Sequence, residues 1–193
     1  MPRTEDFNRE QVLDKAKNAF WMKGYNGTSM QDLVDAMGLN RSSIYNSFGS
    51  KMELYQQSLR QYQNESSALF DRAKSQDRSA IETIGLIFVY ALEDILGDSD
   101  RKGCMLINCH TEMGNQNDQL KTIFSANQER LVAIFEDLVK KGQADGSIRK
   151  TENSQLLAYY LGSAFQGLRI TGMNTTDPKV LKGIIQNILK TIT

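Results

Sequence analysis

The sequence predicts an all-α protein, and three observations carry that reading. Only two prolines interrupt 193 residues. No stretch alternates Val, Ile or Thr with polar residues as a half-buried strand would. Apolar residues instead recur at helical spacing between recognisable caps and glycine stops. A hydrophobic content of 40% with 24% charged residues suits a folded globular chain, not a disordered one. No apolar run approaches the about 20 residues needed to cross a bilayer. Residues Met1 to Asp6 are polar and unlike a secretory signal, so the expected location is the cytoplasm, with no membrane partner. Basic and acidic residues balance at 23 each, which argues against indiscriminate binding to nucleic acid. Any DNA recognition must come from a local constellation.

The elements follow in order. Asn8 is a good N-cap for a first helix carrying Val12, Leu13, Ala16, Ala19 and Phe20, and Gly24 ends it. Thr28-Ser29-Met30-Gln31 reads as a capping box that opens a short helix with Leu33, Val34 and Met37. Gly38-Leu39-Asn40 makes a tight turn, in which Gly38 is free to take positive φ and Asn40 caps the next helix, Arg41 to Phe48. Ser50 and Glu53 form another capping box for a longer helix to about Arg72. Further helices are expected from Ser79 to Leu96, Gly103 to Met113, Asp118 to Lys141 and Asn153 to Thr171, with a last one opened by Asp177-Pro178. The expected total is about nine helices, divided into a domain of residues 1–49 and one of residues 50–193.

Two short helices joined by a glycine turn and braced by a preceding helix constitute a helix-turn-helix. The second exposes Arg41, Ser42, Ser43 and Asn46 while burying Ile44 and Phe48. Arginine can fork onto guanine, and asparagine pairs bidentately with adenine. Tyr45, Ser47 and Lys51 suit phosphates, together with the hydroxyls and amides near Thr28 and Ser29. The alternative on pattern alone is a helical hairpin with a polar face and no partner.

Residues 16 to 54, AKNAFWMKGYNGTSMQDLVDAMGLNRSSIYNSFGSKMEL, resemble the N-terminal domain of the TetR family of bacterial repressors. The matching positions are Ala19-Phe20, Gly24-Tyr25, Thr28-Ser29, Asp32-Leu33, Ala36, Gly38, Tyr45, Phe48, Lys51 and Leu54. Ser47 departs from the histidine of many members, and Gly49-Ser50 from their charged or amide residue. The resemblance implies that Thr28, Ser29, Tyr45, Ser47 and Lys51 grip the DNA backbone. It implies that Gln31, Arg41, Ser42, Ser43 and Asn46 face bases of a double-stranded, near-palindromic operator. It implies a homodimer built on the last two helices, whose DNA is released by a small-molecule effector. The residues themselves offer an interface: Ala158, Gly162 and Gln166 form a row of four-residue spacing, beside Ser163 and Gly167. Leu161, Phe165, Leu168, Ile184, Ile185, Ile188 and Leu189 supply apolar contacts. Packing within one chain is the competing explanation of that row.

Residues 101–113, RKGCMLINCHTEM, resemble a subgroup with a Gly-Cys-Leu-Leu-like segment followed by Asn and Glu, matched by Gly103, Cys104, Met105, Leu106, Asn108 and Glu112. Some of its members respond to electrophiles or oxidants through a cysteine. Cys104 follows Arg101 and Lys102 near an expected helix start, which suits a reactive thiolate and redox sensing; a small buried side chain is the alternative. Cys109 and His110 are adjacent and point about 100° apart on a helix, and no chelating spacing accompanies them, so neither metal nor cofactor is expected. A ligand cavity would be lined by Phe88, Met105, Cys109, Met113, Phe124, Phe135 and Tyr159. No nucleophile elbow, phosphate loop, zinc signature or dinucleotide fingerprint is present, so the chain does not read as an enzyme. The rival function is a helical dimeric interaction protein that has lost DNA binding.

Overall fold

The structure is a computed structural model that describes residues 7–193. Among the described residues there are nine helices and no strand. They are α1 (Arg9–Gly27), α2 (Met30–Met37), α3 (Arg41–Phe48), α4 (Lys51–Lys74), α5 (Ala80–Gly97), α6 (Met105–Met113), α7 (Asp118–Asp145), α8 (Ser154–Asn174) and α9 (Pro178–Ile192). No helix is long and apolar enough to cross a membrane.

The caps explain most of the boundaries. Asn8 accepts the Gln11 N–H at 3.1 Å, and Asn153 accepts from Gln155 and Leu156. Asp177 accepts from Lys179, with Pro178 in the first turn. The reciprocal box at α4 is present, since Ser50 donates its N–H to Glu53 at 2.7 Å and its hydroxyl accepts from the Glu53 N–H. The box expected on Thr28 and Gln31 lies one residue further on. Ser29 caps α2 and Asp32 returns the contact. Thr28 is buried instead, its hydroxyl donating to the Gly24 carbonyl at 2.6 Å. α6 starts at Met105, not Gly103, because Arg101 and Gly103 take left-handed φ of 54° and 70°. α7 runs past Gly142, which leaves room for Ile148 to fold back against it.

The chain divides into two compact units: Met1–Ser66 with Met105–Lys121, and Ser67–Cys104 with Thr122–Thr193. The first unit therefore extends past residue 49, taking in most of α4 and all of α6. Its core stacks Val12, Ala16 and Phe20 of α1 on Leu33, Met37, Ile44 and Phe48, and closes with Leu54, Tyr55 and Leu59 of α4. Phe20 meets the Tyr55 ring edge-on at 4.8 Å. Lys17 is buried between α1 and α4, with Asp14 and Glu65 each at 2.6 Å. Burial alone would lower its pKa, but those two carboxylates outweigh it and hold the ammonium above the ordinary lysine range.

The second unit packs α5 against α8 and α9 around Phe70, Phe88, Phe135 and Phe165, whose ring centroids lie 5.5 to 6.4 Å apart. Each such ring pair contributes about 0.5–1.5 kcal/mol beyond its buried area. Gly172 lets α8 come down onto Ile95 of α5. The buried Arg169 guanidinium donates to Asp94 at 3.2 Å.

The Lys23 ammonium, then the Ser29 hydroxyl and N–H, hold the Asp32 carboxyl well below the usual carboxylate range. The Ser50 N–H and hydroxyl do the same for Glu53. A depressed folded-state pKa contributes stability that is complete above the unfolded value, about 4. That contribution is lost as pH falls through the folded value. Melting followed by calorimetry is expected to show Asp32→Asn less stable than wild type at neutral pH, with the gap closing towards pH 2. A gap that stays constant with pH would mean the Asp32 charge stabilises nothing.

Candidate nucleic-acid interface

The two short helices are joined through Gly38, at φ 70°, which donates its N–H to the Val34 carbonyl at 3.0 Å. Asn40 then caps α3 by accepting the Ser43 N–H at 2.9 Å. α3 buries Ile44 and Phe48 and turns Arg41, Ser42, Tyr45 and Asn46 to solvent, while Ser43 and Ser47 are half-buried. The exposed four occupy positions i, i+1, i+4 and i+5, one continuous helical face. The Arg41 guanidinium lies 5.8 Å from the Tyr45 ring centre. On α2, Gln31 is exposed and donates to Asp35, and the Ser29 hydroxyl is engaged with Asp32. Thr28 leaves the DNA-facing group, because its hydroxyl is buried on the Gly24 carbonyl.

Behind this face, α1 is broken at Gly24, with φ 71° and ψ 178°. The break frees two backbone N–H groups, and the Glu112 carboxylate of α6 takes both, from Tyr25 at 2.9 Å and Asn26 at 2.7 Å. Lys51, at the start of α4, donates to the Tyr25 carbonyl at 2.6 Å and sits 4.3 Å over the Tyr25 ring centre. One peptide therefore links α1, α4 and α6. Two further side chains escaped the sequence reading. Arg9 donates to the Ser47 carbonyl, and Gln57 to the Phe48 carbonyl. The sole local sign of Arg9 was a cation in the first turn of a helix, where the macrodipole disfavours it.

Residues 12–57, which span this arrangement, match the family described as bacterial regulatory proteins of the tetR family. Over nearly its whole length the chain is similar to the HTH-type transcriptional repressor ComR of Escherichia coli K12. The two are 30% identical over 192 residues, covering 97% of this chain and 90% of ComR. The chain belongs to the TetR family. A second relative, the HTH-type transcriptional regulator YezE of Bacillus subtilis 168, is 26% identical over 179 residues, 92% of each chain. Among solved structures, a cysteine mutant of the TetR family regulator CifR, complexed with a 26-base-pair operator duplex, superposes with a TM-score of 0.86. It shares 22% identity and covers 99% of this chain and 100% of that one.

In this TetR-family regulator the residues expected to line one ligand cavity do not form one group. Met105, Cys109 and Met113 are buried on α6 in the core of the first unit. Phe88, Phe124 and Phe135 are buried in the second. Tyr159 is 50% exposed and faces away from the core. Burial pushes the Cys109 thiol up to about 11, against a smaller lowering by its hydrogen bond with Tyr55, so it is protonated at neutral pH. Cys104 is half-buried and immediately precedes α6. Among the described residues no group of three or more His, Cys, Asp or Glu is placed to hold a metal ion.

The row of small residues on α8 is also corrected. Ala158, Leu161, Phe165 and Ile188 are buried inside their own chain. A Cβ on Gly162 would meet Leu131 of α7 at 3.6 Å, and Gln166 is bonded to Gln128. Small residues let α7 approach, which leaves a different stripe of α8 open: Leu156, Tyr159, Tyr160, Ser163, Gly167 and Ile170. Val180 and Gly183 continue it on α9, with Ile184 half-buried beside them.

Gly24 is required twice over, by its backbone and by the carboxylate above it. A Cβ there would lie 2.6 Å from the Glu112 carboxylate oxygen. Gly24→Ala is expected to destabilise the protein by about 2–3 kcal/mol in urea unfolding, the cost of a glycine-only conformation. A loss below about 0.5 kcal/mol, the range of ordinary surface substitutions, would show that the break can relax.

Proposed function

We propose that this regulator is a repressor that binds a near-palindromic operator as a homodimer and is released by a small-molecule effector. The observation that carries the reading is α3: one face wholly buried, the other offering Arg41, Ser42, Tyr45 and Asn46 to solvent. A helix held that firmly, with base-compatible side chains outward, suits the major groove. Ser43, Ser47, Gln31 and Ser29 lie at its margins, where phosphates and outer bases would fall. Lys51 donates one ammonium hydrogen to Tyr25, and the other two suit a phosphate. The description of ComR as a repressor supports the sign of control, and the operator complex of CifR supports the partner.

Two-fold symmetry would place the paired α3 helices about 34–36 Å apart, one turn of duplex. The open stripe of α8 and α9 is the surface that supports dimerisation. Leu156 and Tyr159 are 64% and 50% exposed in the single chain, and Gly167 and Gly183 have nothing within reach of an added Cβ, which suits close helix approach. Tyr159→Glu is expected to give a monomer by sedimentation at micromolar concentration. A persistent dimer would place the interface elsewhere. The effector can release DNA only by binding the two dimer states with different affinity. Of the two thiols, Cys104 is the one an electrophile could reach from solvent. Operator affinity unchanged after alkylation at Cys104 would rule that route out.

The deciding experiment is selection of bound duplexes from a random DNA library at defined salt. A recovered near-palindrome establishes the operator; no enrichment by a folded dimer favours an interaction protein without DNA binding. With Arg41 and Lys51 as the contacting cations, about four phosphates per dimer give a salt slope near −4. Arg41→Ala should cost about tenfold or more on the operator but little on random duplex, as expected for a lost base contact. Equal losses on both would remove its base-reading role.

A further inference from the structure

We infer that Arg9 and Gln57 form a detached C-cap that fixes the pose of the recognition helix, and so act as positioning residues for base readout. The inference rests on the operator reading above.

α3 has only eight residues, and it buries two large side chains, Ile44 and Phe48, on its inner face. So short a helix is poorly fixed against rotation by apolar packing alone, and its last carbonyls fall outside its own ladder. Gly49 satisfies one of them, its N–H donating to Tyr45 at 3.0 Å, but its ψ of −147° is not that of a left-handed cap. The next two carbonyls are served from other helices. Arg9 Nη1 donates to the Ser47 carbonyl at 2.7 Å, and Gln57 Nε2 to the Phe48 carbonyl at 3.0 Å. The two side chains are themselves joined, Arg9 Nη2 donating to Gln57 Oε1 at 3.0 Å. The guanidinium also lies 4.3 Å over the Phe48 ring centre. A cation in the first turn of α1 opposes that helix dipole, yet at the end of α3 it complements one.

This arrangement ties α3 to α1 through Arg9 and to α4 through Gln57 at the end remote from Arg41. Two bonds and a stacked ring restrict tilt and rotation together, as a single apolar contact cannot. Small rotations of α3 would swing Arg41 and Asn46 off the base edges and leave phosphate contacts made by other elements intact. The cap therefore acts on specificity, not on non-specific affinity.

The test uses the full-length protein, the selected operator and a random duplex, each titrated across a salt series. Arg9→Ala is expected to weaken operator binding about tenfold, equivalent to about 1.4 kcal/mol, with random-duplex affinity and the salt slope unchanged. Gln57→Ala should weaken it less, and the double variant no more than Arg9→Ala alone, because the two act as a unit. Arg9→Lys should fall between wild type and alanine, keeping the charge but losing the fork. A slope shallower by about 2 per dimer would mark Arg9 as a phosphate contact and overturn the inference. Operator affinity within about twofold of wild type, multiplicative effects in the double variant, or full rescue by lysine would overturn it as well. Circular dichroism checks folding, and if Arg9→Ala fails to fold, Gln57→Ala and Arg9→Lys carry the same criteria. Absence of any enriched duplex with wild type would defeat the operator reading itself, a result distinct from an indifferent Arg9 variant.

Discussion

The peptide of Tyr25 is the joint on which the first unit depends. Its N–H is held by the Glu112 carboxylate and its carbonyl by the Lys51 ammonium. Opposite charges thus grip opposite ends of one backbone dipole, each in its favourable sense. The chain can present that peptide only because Gly24 breaks α1 in a conformation that other residues resist. From this point α2 departs, α4 begins and α6 is docked. Thr28 completes the corner by returning its hydroxyl to the Gly24 carbonyl, which is why a residue that looks suited to phosphate is turned inward.

Much of the unit's positive charge is likewise committed inside the protein. Lys17 sits between Asp14 and Glu65, and Lys23 pairs with Asp32, whose carboxylate also caps α2. Arg9 is engaged at the end of α3. These cations define where the short helices stand and leave Arg41 as the outward one on the recognition face. Geometry, more than general electrostatic attraction, is what this surface has to offer a duplex.

Local chemistry made most of the fold legible. Asn8, Asn40, Asn153 and Asp177 cap helices where short-range pattern places them, and the spacing of Val12, Ala16 and Phe20 marks the buried side of α1. Signals failed where the deciding partner is distant in sequence or where two partners ask for the same residue. Gly162 is small because α7 lies on it, and a second subunit would have required the same smallness. Periodicity therefore could not say which face of α8 stays open. Tyr159 was misplaced for a related reason, since an aromatic residue suits a core and an interface equally. Glu112 stood out as part of a motif, but its two backbone partners lie more than 80 residues away. Arg9 reaches across 38 residues to Ser47, beyond any local rule.

The balance of 23 basic and 23 acidic residues, with so many cations turned inward, bears on how such a regulator lives in a crowded nucleoid. A genome presents on the order of 10⁶–10⁹ competing non-specific sites, and a strongly basic protein spends most of its copies parked on them. A chain with little general affinity for polyanions keeps a larger share of its molecules unattached. Few copies per cell then suffice to occupy a single control site, and a change in effector level reaches a free pool without waiting for bulk DNA to release it.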